Sequence, residues 1–354
     1  MQKIFVDQTN IYAFKNMVKS INENESNIIL VPDKFSLSSE RLFFEENNLT
    51  VSFSTQTFSL TKLASLVLEN KLRNQKLIDK NVSIMIISSI ISQNFDKLKY
   101  FKNVKDINEF SVDIYNFVSQ ILTSNAIDFN QNVDKELKNK LDDVKFILKE
   151  YQKVLQNCLI DSSFKFEMFF DEIKNSDLIK NTNFYFGMFN SLTPQIKKII
   201  KEIAKYAKSV TFSTSFVQNR VNNNEIYDFY LSLDKNCEVV KTFSLKNYNK
   251  FIVDNFFSAS TKRFENNNYD IKIFEAKNIE DEVDNLLYEI RKDVLISGLR
   301  FKDIAICVND FNAYGKLLKE KLEKLNFTYF VDENKNLIDF GYSRFIIDLL
   351  KCLN

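Results

Sequence analysis

The sequence predicts an α/β protein built on parallel sheets, in two sets, with an all-helical insertion interrupting the first. Three observations predict it. From residue 3 to residue 69, short apolar or β-branched runs alternate with amphipathic stretches, the β-α-β-α-β-α rhythm of a parallel sheet covered by helices. From Gln75 to about Asn175 only helical spacing remains, and proline and glycine are both absent. The alternation then resumes at Asn183 and starts afresh near Tyr269.

Residues 3–7 (KIFVD) read as a short buried strand, and residues 11–21 as a helix with Phe14, Met17, Val18 and Ile21 on one face. Residues 27–32 (NIILVP) are a continuous apolar run closed by proline, the pattern of a parallel strand covered on both faces. A helix is expected over 37–46, a strand over 50–54 (TVSFS) and a helix over 59–69. In the insertion, Ile84, Ile87 and Ile91, then Phe110, Val112, Phe117 and Ile121, then Val144, Ile147, Leu148 and Tyr151 recur at helical spacing. Residues 183–189 (NFYFGMF) form the next expected strand. Thr193 before Pro194 is a helix start, with threonine as N-cap and proline at the first helical position. That helix should bury Ile196, Ile199, Ile200 and Ile203 and expose Lys197, Lys198, Lys201, Lys205 and Lys208. Strands follow at 209–216 and near 239–243.

The last section predicts strands at 271–275, 303–308 and 327–331. They alternate with helices over 279–294, 311–325 and 343–353. It reaches Asn354 without a closing element, so this second set is expected to be truncated. The organisation read from the sequence is therefore a first core domain (1–75 and 178–265), a helical insertion (76–177) and an incomplete second α/β domain (266–354).

Composition removes several chemistries. The chain has 48 basic and 47 acidic residues, a net charge of +1, so any basic surface must be local. It has no histidine, which excludes Ser-His-Asp and Cys-His nucleophiles and every histidine-containing metal site. Cys158, Cys237, Cys307 and Cys352 make no CxxC unit, and they read as reduced thiols; no metal site is expected. The abundance of Phe, Ile, Asn and Lys is what an AT-rich coding sequence gives, and the sequons at Asn24, Asn48, Asn81 and Asn326 read as chance matches. No apolar run approaches the roughly 18 residues of a membrane span. The amino terminus has no signal-peptide shape, so a cytoplasmic location is expected.

A phosphate-binding P-loop needs glycines, because its backbone N–H groups wrap the phosphates, and a Lys-Ser/Thr pair for the phosphates and Mg²⁺. The segment from Asp7 through Gln8, Thr9 and Asn10 to Lys15 has the topological place and none of the glycines. Lys15 there reads as a solvated helix residue. The strand at 183–189 ends in Gly187-Met188-Phe189-Asn190 and offers no carboxylate for Mg²⁺. No catalytic residue and no ATP-binding residue is expected. The carboxylate groups at Asp332-Glu333 and Glu280-Asp281-Glu282 read as a turn and as a first helical turn favoured by the helix dipole. The lysine face after Pro194 has two readings, a DNA-phosphate contact or a solvated face. Lys34 and Lys62 stand just beyond the carboxyl ends of predicted parallel strands, where open α/β sheets bind ligands.

Four segments carry a resemblance. Leu30-Val31-Pro32-Asp33-Lys34-Phe35-Ser36 through Glu40 resembles the "LVP-(D/E)-Q-x-(S/T)-F-x-x-E" segment of AddB/RexB, the B subunits of the AddAB/RexAB helicase–nucleases. Ser59-Leu60-Thr61-Lys62-Leu63-Ala64 is similar to that family's "S-F-(S/T)-R-L-A", and Phe186-Gly187-Met188-Phe189 through Thr193-Pro194-Gln195 to its "DGF-x-x-(F/L)-TPQ". Residues 303–308 with Tyr314 and 327–332 resemble "DIA-(V/I)-LVRD…Y…IPYFID". They fall in the family order and span most of the chain.

The resemblance implies two superfamily 1 helicase-like (RecA-like) parallel-sheet domains, the first interrupted by an insertion and the second incomplete. It implies a DNA-binding, ATP-inactive module of an ATP-dependent helicase/exonuclease that acts on single- and double-stranded DNA ends in break repair and recombination. The implied partner is an AddA/RexA-like helicase–nuclease subunit, which hydrolyses ATP, and no membrane is involved. Family members use Mg²⁺ and ATP in the complex and carry an iron–sulfur cluster and nuclease in a part this chain does not match, so no cofactor is expected here. The loss of the P-loop resembles the RexB branch. The family reads single-stranded DNA through the first two segments, which carries over to Lys34, Ser36, Thr61 and Lys62. Leu60 and Ser65 stand where the family has aromatic rings. Two rival readings remain, a nucleotide-binding enzyme with a divergent loop and a scaffold that docks a helicase without touching DNA.

Overall fold

The computed structural model describes residues 2–73, 76–104, 107–124, 135–155, 159–217, 225–234, 236–256, 262–265, 271–333 and 337–353. The chain divides into two compact units, Met1–Glu265 and Asn266–Asn354.

In the first unit the chain runs through β1 (Gln2–Asp7), α1 (Asn10–Val18), β2 (Asn27–Leu30), α2 (Ser36–Asn47), β3 (Thr55–Phe58), α3 (Leu60–Val67) and the one-turn α4 (Glu69–Leu72). It continues through β4 (Lys76–Ile78), α5 (Lys80–Gln93), α6 (Ile107–Ser124), α7 (Lys135–Leu155), β5 (Leu159–Asp161), α8 (Ser162–Glu172) and α9 (Asp177–Lys180). It closes with β6 (Asn183–Phe186), α10 (Pro194–Tyr206), β7 (Ser209–Ser215), α11 (Glu225–Leu233), β8 (Glu238–Lys241) and α12 (Asn247–Asn255). Six strands form one sheet in the order β3-β2-β6-β7-β1-β8, all parallel. This is an α/β sheet of RecA-like kind.

The buried central strands explain the layering, because they face helices on both sides. Ile28, Leu30, Phe184, Phe186 and Phe212 point to one face, where Leu63 of α3 and Ile199, Ile200 and Ile203 of α10 cover them. Phe5, Ile29 and Tyr185 point to the other, against Phe14, Met17 and Val18 of α1 and Phe43 of α2. Helix starts follow the capping chemistry of the sequence. Thr9 accepts from Tyr12 N, Ser59 from Lys62 N and Thr193 from Ile196 N, each closing an otherwise open first turn.

The insertion has its own core, in which Ile87 and Ile91 of α5, Ile114 and Val118 of α6, and Val144, Ile147 and Tyr151 of α7 meet. The expectation of a purely helical insertion is corrected in one respect, since β4 and β5 pair in parallel as a two-stranded ribbon. Three residues on each side are too few to leave a period-2 pattern. The ribbon is fixed by Asp161, buried at its end, which accepts from Tyr151 Oη at 2.6 Å and Ser83 Oγ at 3.0 Å.

The strand expected at 50–54 is also corrected. Residues 50–54 are outside the ladder, and β3 begins at Thr55, paired with Asn27. Phe53, the residue that makes TVSFS look like a strand, is 93% exposed. The shift follows from hydroxyl chemistry. Glu23 accepts from Ser52 Oγ at 2.6 Å, Ser54 Oγ at 3.0 Å and Thr55 Oγ1 at 2.7 Å, so these residues are spent on a turn over one carboxylate. Asn27 and Asn183 continue this polar row along the amino edge and pin the register of β2 with β6. Asn183 Nδ2 donates to Asn27 Oδ1, and Ser209 Oγ donates to Asn183 Oδ1.

In the second unit, α13 (Ile279–Ile296) packs on α14 (Phe311–Lys324) through Val283, Leu287, Ile290, Leu318 and Leu322, and α15 (Gly341–Leu353) follows. Among the described residues no strand forms at 271–275, 303–308 or 327–331, contrary to the sequence expectation. These segments have strand composition without a laddered neighbour, and Ile273 and Phe330 remain 93% and 89% exposed.

Partial burial raises the Glu23 pKa, but the three hydroxyl donors outweigh it and hold the carboxyl below its ordinary 4.5. A carboxyl depressed on folding contributes stability that is present above the unfolded pKa and lost as pH falls through the folded one. Glu23→Gln should therefore lower the urea midpoint at neutral pH, and the difference from wild type should shrink below about pH 4.5, read by urea unfolding across pH.

Candidate nucleic-acid interface

Asp7 ends β1 as a buried carboxylate, and the sequence around it supplies its donors. It accepts from Gln8 N at 2.7 Å, Thr242 Oγ1 at 2.6 Å and Ser244 Oγ at 2.7 Å. Gln8, also buried, accepts from Leu245 N and donates to Asp254 Oδ1. Asn16 donates to Thr242 Oγ1 at 2.8 Å. The end of β1 is thereby fastened to the chain that leaves β8.

The loop between β1 and α1 is closed from the other side by Asn10. Its carbonyl oxygen accepts from Ser215 N at 2.7 Å, and its amide donates to Phe189 O at 3.2 Å and Asn190 Oδ1 at 2.6 Å. One side chain thus ties this turn to the ends of β6 and β7. In the first turn of α1, Tyr12 N donates to Thr9 Oγ1 and Ala13 N to Thr9 O. A phosphate would need those donors and that space. Lys15 is paired rather than solvated. Its Nζ lies 2.7 Å from Glu46 of α2, which also takes Lys19, and the Lys15 hydrogen bond holds the Glu46 carboxyl below its ordinary value. Lys15 is thus held by Glu46, and the turn has none of the glycines of a P-loop.

The turn after β6 lies tight on α1. A Cβ at Gly187 would come 2.4 Å from Phe14 Cδ2 and 2.7 Å from Ser213 Oγ, so glycine is required there. Met188 follows at φ 64, a left-handed conformation that costs a non-glycine residue roughly 1–3 kcal/mol. This turn forms one wall of a cleft of 410 Å³ at the carboxyl edge of the sheet. Pro32, Asp33 and Phe35 after β2, Thr61 of α3, Phe166 of α8 and Thr193 at the start of α10 complete it.

The structure brings some of the sequence-derived residues together. Thr61 Oγ1 donates to Asp33 Oδ2 at 3.4 Å, so the segments after β2 and β3 share this cleft. Ser36 Oγ turns back to Asp33 O and caps its own turn, away from a ligand role. Lys34 and Lys62 are exposed on the two flanking elements, and among the described residues neither forms a salt bridge. The lysine face of α10 differs, because Lys197, Lys205 and Lys208 are paired with Glu225, Glu202 and Glu25, and Lys198 lies over the Phe170 ring.

Sequence reasoning missed Lys165. This buried side chain of α8 donates to Thr61 O at 3.2 Å and Ser65 Oγ at 2.6 Å. Burial pushes its ammonium below the ordinary value, and the Asp33 carboxylate opposes that shift. Ser65, where the related pattern has an aromatic ring, is thus the receptor of a lysine from the insertion. A lysine inside the aromatic run Phe164-Lys165-Phe166 was the available signal.

Among the described residues no group of three or more Cys, Asp or Glu side chains is placed to hold a metal ion. Cys237 is half-buried, Cys307 and Cys352 are exposed, and Cys158 lies outside the described residues. Nor is any described helix long and apolar enough to cross a membrane.

The sheet defines a class, a RecA-like parallel α/β domain, and its turn after β1 is tied to the ends of β6 and β7 by Asn10. The family model for "ADDB, N-terminal" matches residues 8–274, and the chain belongs to this family. The chain is 25% identical to the B subunit of the ATP-dependent helicase/deoxyribonuclease of Clostridium novyi (strain NT), over 97% of its own length and 33% of that protein. To the proteins of the same name from Clostridium kluyveri (strain NBRC 12016) and Listeria monocytogenes serotype 4a (strain HCC23) it is 26% and 24% identical, over 92% and 90% of its length. It spans about a third of the length of these relatives.

Replacing Asn10 by Ala removes three hydrogen bonds from the turn and should lower stability by about 1–2 kcal/mol. Lys15→Ala removes only a partly exposed pair and should cost about 0–1 kcal/mol. Chemical denaturation of the two variants side by side measures the difference.

Proposed function

We propose that this chain is the helicase-like, ATP-silent module of the AddB-type subunit of an ATP-dependent helicase/deoxyribonuclease, and that it guides single-stranded DNA from broken ends during double-strand break repair by recombination. The observation that carries the reading is the contrast along one sheet edge. The turn where a P-loop would sit is filled by Asn10, while Lys34 and Lys62 stand unpaired, among the described residues, beside an aromatic cleft. Lysines there take phosphates, and the partly exposed rings of Phe35 and Phe166 offer surface to bases. Thr61 and Ser36 shape the two turns that present the lysines, and Lys165 holds the start of α3 in place.

In this reading ATP hydrolysis belongs to a partner, an AddA/RexA-like subunit, as the subunit designation of the relatives suggests. The nuclease, its Mg²⁺ and any iron–sulfur cluster belong to parts of the whole AddB-type protein outside residues 1–354.

Single-stranded oligonucleotide binding should weaken steeply with salt, and Lys34→Ala plus Lys62→Ala should weaken it further and reduce the log–log salt slope by about 0.7 for each phosphate interaction removed. Fluorescence anisotropy across a salt series reads both. A slope unchanged in the double variant would sink the assignment of these lysines.

A further inference from the structure

A second cleft lies at the same carboxyl edge, beyond the filled turn, and the DNA-guiding reading does not use it. It measures 260 Å³ and is lined by Phe216 after β7, Lys241 and Phe243 at the end of β8, and Lys250 and Asp254 of α12, with Asp7 at its base. Both lysines lie over rings, Lys241 Nζ 5.2 Å from the Phe216 centroid and Lys250 Nζ 5.3 Å from the Phe243 centroid. Among the described residues neither lysine forms a salt bridge, whereas Lys3, on the same strand pair, is spent on Glu238. Phe243 itself is 61% exposed, although the hydrophobic effect gives no reason to hold a ring in water.

Two carboxylates share the cleft with the lysines, and both are engaged by hydrogen bonds from the protein. Asp7 is buried and saturated by Gln8 N, Thr242 and Ser244. Asp254 is held by Gln8 Nε2 and leaves an acceptor for a ring N–H of a base.

We propose that this cleft binds one nucleotide, with its phosphate between Lys241 and Lys250 and its base against the face of Phe243. The pairing of cations with ring faces is the chemistry by which proteins hold unstacked nucleotides without reading sequence. Its position supplies the source. β3 and β8 are the two edges of the sheet, five strand steps apart. At ~4.8 Å per step this is about 24 Å. At ~3.4 Å or more per nucleotide, at most about seven nucleotides of one strand would cover that edge from Lys62 to Lys241. The strand as source rests on the DNA-guiding reading above; a free nucleotide does not.

The test compares wild type, Lys62→Ala, Lys241→Gln plus Lys250→Gln, and Phe243→Ala, all at exposed side chains. Each is titrated with an oligo-dT of about 20 nucleotides and, separately, with dTMP. Two results support the site. Oligo-dT binding that weakens about tenfold in the double variant and in Phe243→Ala identifies a strand as the occupant. Loss of dTMP binding alone in the same variants identifies a free nucleotide. Oligo-dT binding that falls with Lys62→Ala yet is wild-type in both Lys241→Gln plus Lys250→Gln and Phe243→Ala overturns this site and leaves the functional reading intact. Wild-type protein that binds neither probe overturns both.

Discussion

The side chain of Asn10 is the constraint on which the rest of the carboxyl edge depends. A parallel sheet presents the ends of all its strands, and the turns that leave them, along one edge. Their backbone groups must be satisfied by a ligand, by water or by the protein. In this chain the protein does it at the centre. Asn10 binds the ends of β6 and β7, while Asp7 and Gln8 bind the segment after β8. That closure fixes α1, and α1 in turn fixes the turn at Gly187 that packs on Phe14. The two clefts lie on either side of the closed centre.

Charge is distributed the same way. Net charge is close to zero, and several lysines of the first unit are paired with a carboxylate one element away, as Lys15 is with Glu46 and Lys197 with Glu225. Lys34, Lys62, Lys241 and Lys250 are among the described lysines that form no salt bridge, and all four lie at strand ends or on the elements that leave them. A locally basic edge on a neutral protein is what binding to a phosphate chain requires.

Much of the first sheet was legible in the sequence because its strands are buried on both faces. NIIL, NFYF and SVTFS are apolar or β-branched without a helical period, and the turn after NFYF leads to the Thr193 cap. The β3 position was misread because Phe53 gives TVSFS a strand pattern, while the deciding hydrogen bonds run from Ser52, Ser54 and Thr55 to Glu23, about thirty residues away. The β4–β5 ribbon joins segments on either side of three helices and leaves no local trace. Of the site, the missing P-loop glycines and the places of Lys34 and Lys62 could be read directly. What fills the loop could not, because the partners of Asn10 are some 180 and 205 residues distant. Lys165 escaped for the same reason.

The most direct test of a closed turn beside the proposed DNA-binding edge is amide hydrogen exchange of the chain, alone, with Mg-ATP and with single-stranded DNA. DNA should slow exchange at residues 33–37 and 60–65, and Mg-ATP should leave residues 8–16 unchanged. Protection of residues 8–16 by Mg-ATP would contradict the closed turn.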